Sequence, residues 1–480
     1  MKLSTDLQKN IDAIKKKLTS EDIEFLDIKA GNTDGTLVFV KDITDKTSIG
    51  ELVLQPLSKL EGSVGLEELS QTFLSPEKEL LSDTDDIISQ VLSGFAAALF
   101  DGVDQAFAFG FIKFEKRAIT EPPTSAVLKG PREGFVESLP VNISMMRRRI
   151  KSSHLQFKNM VLGTYSKTAV ALCYIDGIAD NNLVETLKKK ISEINIDAVL
   201  DSSYVAKFLG EHKTSLFKQV GTTEKPDILT AKILEGRVAI FVDGSPIVIT
   251  VPYLLVEDFQ SPGDYYNSAY SATLARLIRL FSVAISTLLP AFFVAAELFH
   301  LQFIPLSFLL TIVSSIKGIP LSPSFEMFFT LMIFEILNEA SVRMPKYVGM
   351  VVSIVGGLVL GETAVSAGII SAPTLMIIAL SGICLYTVPE LEKTFSLIRL
   401  LFLLVAGSFG GYGLILAMAG TLVYLVSFEN YSTPLMAPFS PLVYPDLKDG
   451  VYKGFLIEQT ERPKSIKNKN RIRMKIKGEK

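Results

Sequence analysis

The feature of this sequence that most constrains its fold is a long apolar region in its second half. Charged residues are dense up to about residue 264 and sparse from 280 to 428, and residues 280–296 carry no charge. A membrane-spanning helix needs about 20 largely apolar residues, and flanking arginine favours the cytosolic side. Arg276 and Arg279 immediately precede the charge-free run. The second half is therefore predicted to lie in a membrane.

Further apolar runs predict more helices in this region. They cover residues 304–316, 327–337, 347–361, 363–389 and 400–428. The first of these is too short to cross alone, so it could be re-entrant or packed inside a helical bundle. Six crossings place all the flanking basic residues in the cytosol, and four crossings remain an alternative. A glycine cluster in the last run is typical of either a hairpin turn or a closely packed helix interface; it comprises Gly407, Gly410, Gly411 and Gly413.

The first half alternates strand-like and helix-like segments, which is typical of α/β domains. Residues 36–40 and 168–175 read as strands, residues 182–194 as an amphipathic helix, and residues 87–100 as a core helix. Two apolar runs flank Asp243-Gly244, which predicts a β-hairpin. No internal repeat with a period of 20–50 residues is evident.

These patterns predict an α/β cytosolic N-terminal region of two subdomains, an all-α polytopic membrane domain of four to six spans, and a short basic cytosolic tail. The predicted boundaries are residues 1–125 and 126–270 for the subdomains, 271–430 for the membrane domain and 431–480 for the tail. Residues 462–480 carry nine Lys and Arg and one Glu, a composition that anionic lipid attracts. The N-terminus is polar and is not expected to be a secretory signal.

Composition and motifs argue against several functions. Lys and Arg total 48 against 51 Asp and Glu, so no general nucleic-acid partner is expected. The two cysteines and three histidines lack metal-ligand spacing, and no cofactor is expected. Nucleotide-binding, hydrolase and zinc-protease signatures are missing, so the chain is predicted not to be an enzyme.

Carboxylates within the apolar region are the first candidate site. Glu335 and Glu339 are four residues apart, so they share one face of a helix, and Asn338 lies beside them. Intramembrane carboxylates are costly and usually face a water-filled path, a bundle interior or a partner. Two interpretations remain open, an ion path and a structural pairing such as Glu339 with Arg343.

A charged segment in the first half is the second candidate site. It runs from Gly130-Pro-Arg-Glu-Gly-Phe135 to a triple arginine, and its charges could contact phosphates or headgroups. Intersubunit or interdomain salt bridges are the more usual role for such charges. The candidate contact residues are Arg132, Glu133, Glu137, Arg147, Arg148 and Arg149.

The motifs of this segment, together with several others, resemble those of the GerA-type A subunits of bacterial spore germinant receptors. The matching blocks are Gly130-Pro-Arg-Glu-Gly-Phe135, Arg147-Arg-Arg-Ile150, Leu234-Glu-Gly-Arg-Val-Ala-Ile-Phe-Val-Asp-Gly-Ser-Pro246, Val251-Pro252, Ser261-Pro-Gly-Asp-Tyr-Tyr266, Asn338-Glu-Ala340, Arg343-Met-Pro345, Gly356-Gly357, Ala364-Val365, Pro389 and Asp446-Leu-Lys-Asp449. The resemblance runs from about residue 130 to residue 449. Asn338 and Glu362 depart from residues that relatives often carry.

The resemblance implies a multi-pass protein of the spore inner membrane with both its N-terminal region and its tail in the cytosol. It implies a transporter-like B subunit and a lipoprotein C subunit as partners, and self-association into a ring that forms a germinant-gated cation channel. A non-conducting scaffold, a stage V sporulation paralogue assisting germination and dipicolinate release, and a membrane-bound hydrolase are the alternatives. The hydrolase fits least, because no nucleophile and base pair is apparent.

Overall fold

The computed structural model describes residues 2–62, 64–73, 75, 77–111, 129–344, 359 and 361–474. The chain divides into two compact units. The sheet unit comprises Met1–Tyr253, Asn430–Thr433 and Gln459–Lys480, and the helical unit comprises Leu254–Glu429 and Pro434–Glu458. Nearly all of the predicted apolar run at 347–361, with the motif residues Pro345, Gly356 and Gly357, lies outside the described residues.

The first half of the sheet unit is a five-stranded antiparallel sheet between two helical layers. Its strand order is β1-β2-β4-β5-β3. The helices α1 and α5 pack on one face, and α2 to α4 pack on the other. The elements are α1 (Leu7–Lys17), β1 (Ile23–Ala30), β2 (Thr33–Val40), α2 (Lys46–Ile49), α3 (Gln55–Leu57), α4 (Leu66–Thr72), β3 (Lys78–Leu81), α5 (Thr84–Leu92), β4 (Ala96–Phe100) and β5 (Ala106–Phe109).

The second half of the sheet unit is another five-stranded antiparallel sheet, of order β6-β7-β9-β10-β8. Here α6 and α9 cover one face, and α7 and α8 cover the other. The elements are α6 (Leu139–Arg149), β6 (Leu155–Leu162), β7 (Thr168–Ile175), α7 (Asn181–Ser192), α8 (Ser202–Leu209), β8 (Gly221–Thr223), α9 (Pro226–Leu234), β9 (Val238–Val242) and β10 (Val248–Val251).

The two sheets are copies of one module. Numbered within each module, the strands of both sheets lie in the order first, second, fourth, fifth, third. The helices also occur at the same places between these strands along the chain. The first helices begin 132 residues apart, at Leu7 and Leu139, and each has 11 residues with Asn at its fourth position, Ile at its fifth and three basic residues at its end. A repeat this long lies outside the period of 20–50 residues in which the sequence showed none.

Equivalent side chains make equivalent hydrogen bonds in the two modules. The Asn10 amide donates to the Ser4 carbonyl (2.6 Å) and accepts from the Ser4 N–H (2.9 Å). The Asn142 amide makes the same pair of bonds to Val136, at 2.6 and 2.9 Å. Both asparagines are buried, so each needs these partners.

A second shared bond fixes the start of each first helix. The Leu7 N–H donates to Asp101 (3.2 Å), and the Leu139 N–H donates to Asp243 (3.0 Å). Each aspartate begins the turn that follows the fourth strand of its module. The first N–H groups of a helix have no partner within the helix. The aspartate of the Asp243-Gly244 hairpin therefore also accepts a hydrogen bond from one of these N–H groups.

Most sequence-based predictions for the sheet unit are confirmed. The structure contains the predicted strands at β2 and β7, the amphipathic helix at α7 and the hairpin of β9 and β10. The core helix predicted over residues 87–100 is wrong in its second half, where β4 is a fully buried strand paired to β2 and β5. A short buried apolar run suits either structure by pattern alone, and strand pairing decides it here.

The helical unit combines two long helical segments with several shorter helices. Two helical segments of the described residues are long and apolar enough to cross a membrane, Ala269–Phe299 and Pro389–Ser427. The full span predicted over residues 363–389 is wrong as a single helix, because the chain turns between α13 and α14. The helices are α10 (Ala269–Phe299), α11 (Leu306–Ile316), α12 (Pro323–Arg343), α13 (Gly361–Ser366), α14 (Ala372–Leu385), α15 (Glu392–Ser427) and α16 (Leu447–Gly450).

The glycine cluster in α15 combines a sharp interruption with close packing. Gly410 has φ 65° and ψ −153°, a conformation that only glycine adopts readily. A Cβ at this position would lie 2.8 Å from the Phe299 ring, and one at Gly407 would lie 2.9 Å from the Ser324 hydroxyl. The structure therefore combines the two sequence-based alternatives: the non-helical backbone at Gly410 divides α15 into two helical segments, and the glycines also allow close contacts with neighbouring helices.

We expect Gly410→Ala to destabilise the helical unit. The backbone strain costs roughly 1–3 kcal/mol, and the contact with Phe299 adds to it. The thermal unfolding midpoint of the full chain in detergent measures the loss. Gly420→Ala is the matched control, since Gly420 lies in the same helix and a Cβ there meets no atom within 4 Å. Equal midpoints for the two variants would contradict the role given to Gly410.

Candidate functional site

The candidate ion-path residue Glu335 belongs to a polar cluster between helices. The guanidinium of Arg399 on α15 donates to Glu335 on α12 at 2.5 Å, and the Ser396 hydroxyl also donates to this carboxylate. Arg399 is 1% exposed and Glu335 28% exposed. The ion pair therefore neutralises both charges within one chain.

The same guanidinium connects two further helices. Arg399 donates to the Ser381 hydroxyl on α14 (2.7 Å), and Ser381 donates to the Ser286 carbonyl on α10 (2.8 Å). A buried charge is tolerated only when it is paired and hydrogen bonded. This chain of bonds consequently fixes the mutual positions of four helices through one arginine.

Asn338 and Glu339 make different contacts. Asn338 donates to Glu392 at the start of α15 (2.6 Å) and accepts from the Tyr386 hydroxyl (2.9 Å). Glu339 is exposed and pairs with Arg343 one turn later, at 2.6 Å. The structure thus brings Asn338 into the helix bundle and leaves Glu339 on its surface.

Arg399 is not among the candidate residues derived from the sequence, although it adjoins the charge-free run at 400–428. That position was the available signal, since an arginine there needs a carboxylate partner. Glu326 on α12 is a second buried charged residue outside the candidate site. It is 1% exposed and accepts from the N–H and hydroxyl of Ser371 at the start of α14, both at 2.7 Å.

Two sequence motifs meet at the beginning of α10. Asp264 of the Ser-Pro-Gly-Asp-Tyr-Tyr motif accepts two bonds from Arg279, at 2.7 and 2.8 Å. Arg276, 2% exposed, donates to Asp264 (3.3 Å) and to Asp449 of the Asp-Leu-Lys-Asp motif (3.0 Å). Burial opposes the charged form of Asp264, but the bonds and charges of both arginines outweigh it and lower its pKa. The motifs therefore serve to anchor the helix start.

The candidate contact residue Arg147 joins the two modules of the sheet unit. Its guanidinium donates two bonds to Asp22, both at 2.7 Å, and a third to the Ser152 carbonyl at 3.2 Å. The side chains of Arg147 and Asp22 are 0% and 1% exposed. The Ser20 hydroxyl donates to Asp22 as well, at 2.5 Å. All three nitrogens of the guanidinium are therefore hydrogen bonded, two of them to the first module and one within the second.

The duplication shows why this position is arginine. Arg147 lies over the Phe157 ring, with 5.2 Å between the guanidinium carbon and the ring centroid. In the first module Lys15 lies over Phe25, also at 5.2 Å, but Lys15 is exposed. A buried two-bond contact with a carboxylate needs the planar fork of arginine, which lysine lacks.

The remaining candidate contact residues cluster near the surface. Arg148 and Arg149 both donate to Glu133, at 2.5 and 2.7 Å. Burial works against the charged form of Glu133, but the bonds and charges of these two arginines outweigh it, so its pKa is lowered. Arg132 and Glu137 are exposed, and the Glu137 carbonyl accepts from the Gly244 N–H at 2.7 Å.

Comparison with known proteins gives consistent matches. The family model described as Bacillus/Clostridium GerA spore germination protein matches residues 6–465. The chain is 35% identical to spore germination protein KA of Bacillus subtilis (strain 168), over 98% of this chain and 88% of that protein. It is 31% identical to spore germination protein GerLA of Bacillus cereus, over 90% of this chain and 89% of that protein.

A solved structure that matches is the N-terminal domain of the A subunit of the Bacillus megaterium spore germinant receptor GerK3. The match has a TM-score of 0.42 and 29% sequence identity, and it covers 53% of this chain and 98% of that chain.

We expect Arg147→Met to destabilise the sheet unit by about 3–5 kcal/mol, because it leaves the Asp22 carboxylate buried without its partner. The thermal unfolding midpoint of the full chain reports the change. In the double variant Arg147→Met/Asp22→Leu no charge is stranded, so most of the loss should be recovered. Lys29→Met removes the exposed partner of Asp34 and serves as the control, with no measurable change expected. An Arg147→Met midpoint equal to that of this control would refute the buried pair as a structural tie.

We expect Asp42→Asn to stabilise the sheet unit at high pH. Burial, and then the negative charge of Asp22, raise the pKa of Asp42 from 3.8 to about 6. The unfolded chain loses this proton first, so the free energy of unfolding falls as pH rises from about 4 through 6. Asparagine removes that penalty, on the order of 3 kcal/mol at pH 8.

Unfolding midpoints at pH 5 and pH 8 test this expectation, with the gain larger at pH 8. The exposed Asp104 provides the control variant Asp104→Asn, whose effect should be the same at both pH values. A gain for Asp42→Asn that does not grow with pH would rule out the ionisation of Asp42 as its cause.

Proposed function

Because the chain belongs to the GerA family of Bacillus/Clostridium spore germination proteins, we propose that it is the A subunit of a nutrient-germinant receptor in the spore inner membrane. The observation that carries this proposal is the family match, which extends over residues 6–465 and so includes both the sheet unit and the helical unit. Its role is in signalling and transport, and no catalytic step is assigned to it.

The proposed membrane arrangement has four to six spans within residues 271–430. The two long apolar helices α10 and α15 are the best supported of these. Subdomains at residues 1–125 and 126–270, together with the tail at residues 431–480, are placed in the cytosol. The basic residues flanking the apolar runs support this orientation.

The proposed mechanism is nutrient-gated cation release. Copies of the chain associate in a ring, and a transporter-like B subunit and a lipoprotein C subunit complete the receptor. Nutrient binding to a partner shifts a closed-to-open equilibrium, because the ligand has different affinities for the two states. Arg132, Glu133, Glu137 and the triple arginine at 147–149 are proposed to contribute contacts between subdomains or subunits.

The proposed ion path includes Glu335, Asn338 and Glu339. Glu335 is neutralised by Arg399 in the conformation described above, so a cation gains little from it there. Separating the pair would present one carboxylate to a permeating cation. Opening is therefore proposed to involve a change in the Glu335–Arg399 contact, which sits where α12 and α15 meet.

A non-conducting scaffold is the second candidate function, and the pairing of Glu335 with Arg399 is the observation that favours it. A subunit whose buried intramembrane arginine is neutralised by its own carboxylate can hold partners in place without passing ions. Conduction separates the two candidates.

Planar bilayers containing the purified full chain provide the test. We expect a cation current that Glu335→Gln and Glu339→Gln alter, with the larger effect from Glu335 because it lies in the helix bundle. Size-exclusion chromatography of each variant measures assembly, which should change less than the current. Glu458→Gln is the matched control, because Glu458 is exposed and lies outside the long helices.

Two results would count against conduction through this path. Normal conductance in the double variant Glu335→Gln/Glu339→Gln would remove these carboxylates from the path. A complete lack of current from well-assembled wild-type protein would favour the scaffold.

A further inference from the structure

The basic tail folds back onto the second module of the sheet unit. The Arg462 guanidinium donates to the Leu234 carbonyl at the end of α9 (2.6 Å), and the Lys469 N–H donates to the Ile178 carbonyl (2.9 Å). Ala179 and Asn468 form an antiparallel bridge. We call residues 461–474 the tail loop, and these bonds hold it at two points.

The tail loop has its own buried anchors. Ile466 is 2% exposed and Arg462 is 9% exposed. Gly236, with φ +107°, lies directly beneath the loop, where a Cβ would come 3.0 Å from the Asn468 Cβ. The close approach of the loop therefore depends on glycine at this position. A highly charged segment that was merely solvated would not need a glycine to allow close contact with the sheet unit.

Charged side chains of the tail loop line a cavity of about 260 Å³. Its lining residues are Asp180, Lys464, Ile466, Lys467, Asn468, Lys469 and Arg471. Lys464 pairs with Glu461 at 3.4 Å. Within the described part of the chain, no carboxylate pairs with the other three cations. Asp180 accepts from the Asn182 N–H at the start of α7 (3.1 Å) and is the one carboxylate in the lining.

Positive charge is in excess here, because three unpaired cations and a single carboxylate, that of Asp180, line the cavity within the described residues. Burial, and then the charge of Arg473, lower the pKa of Arg462 against the opposing charge of Glu235. The backbone bond of Lys469 and the bridge at Asn468 fix the loop between Lys467 and Lys469, which limits how far these two cations can separate. A small multivalent anion would relieve this repulsion, and phosphate oxygens suit both the ammonium groups and the guanidinium.

We propose that the tail loop is a binding site for a phosphate-type anion, with Lys467, Lys469 and Arg471 as its ligands. The anion is either a soluble phosphate or a lipid headgroup, since both present the same oxygens. The site is independent of ion conduction, so its test requires no current.

Lysine acetylation read by mass spectrometry tests the site in the full chain held in neutral-lipid nanodiscs. Inorganic pyrophosphate should protect Lys467 and Lys469 from the reagent, and Lys207 and Lys213, which are exposed elsewhere on the sheet unit, should react unchanged. Protection in phosphatidylglycerol nanodiscs without pyrophosphate identifies a headgroup as the source. Protection only after pyrophosphate is added identifies a soluble anion.

Two variants separate a built site from diffuse charge. Calorimetric titration with pyrophosphate should show at least about tenfold weaker binding for the variant Lys467→Gln/Lys469→Gln/Arg471→Gln, because three charge-assisted contacts are lost. Its matched control, Lys16→Gln/Lys207→Gln/Lys213→Gln, removes the same charge from scattered exposed positions and should bind as the wild type does.

Arg462→Gln releases the anchor of the tail loop but keeps every proposed ligand, and it should also weaken binding. Unchanged acetylation of Lys467 and Lys469 in all lipid and pyrophosphate conditions would overturn the proposal. Equal losses in the two triple variants would do the same, because they would show that only net charge matters.

Discussion

A buried guanidinium paired with a carboxylate is the interaction on which each part of this molecule depends. Arg147 and Asp22 tie together the two modules of the sheet unit. In the helical unit, Arg399 holds Glu335 and, through serine, two more helices. Breaking such a pair leaves an unpaired charge where water reaches it poorly. These contacts therefore fix the relative positions of modules and helices more strictly than apolar packing alone does.

Duplication explains much of the sheet unit. One module, with its buried asparagine and its aspartate-bound helix start, occurs twice with the same strand order. The copies then diverged where they serve different purposes. The position that is an exposed Lys15 in the first copy is the buried Arg147 in the second, where it joins the modules. In the second module, the tail loop also packs closely against Gly236.

The helices of the helical unit differ in length and in the polar side chains that they contribute. The long apolar helices α10 and α15 supply the candidate spans, while α12 and α14 bring polar side chains to meet them. The interruption at Gly410 lets α15 pass close to Phe299. The chain that has this arrangement belongs to a family of spore germination proteins. The charge cluster at Arg399 then offers a concrete place where gating and assembly could be separated by experiment.

The sequence by itself determined the family, the change from a charged to an apolar half, and most strands and helices of the sheet unit, because local periodicity and turn residues carry those signals. It did not reveal the duplication, whose signal is a few residues at a spacing of about 132. Nor could it pair Glu335 with Arg399 or Arg147 with Asp22. Those partners are 64 and 125 residues apart. Only the tertiary structure selects among so many distant charges, because a pair forms where the fold brings the two groups together and buries at least the arginine.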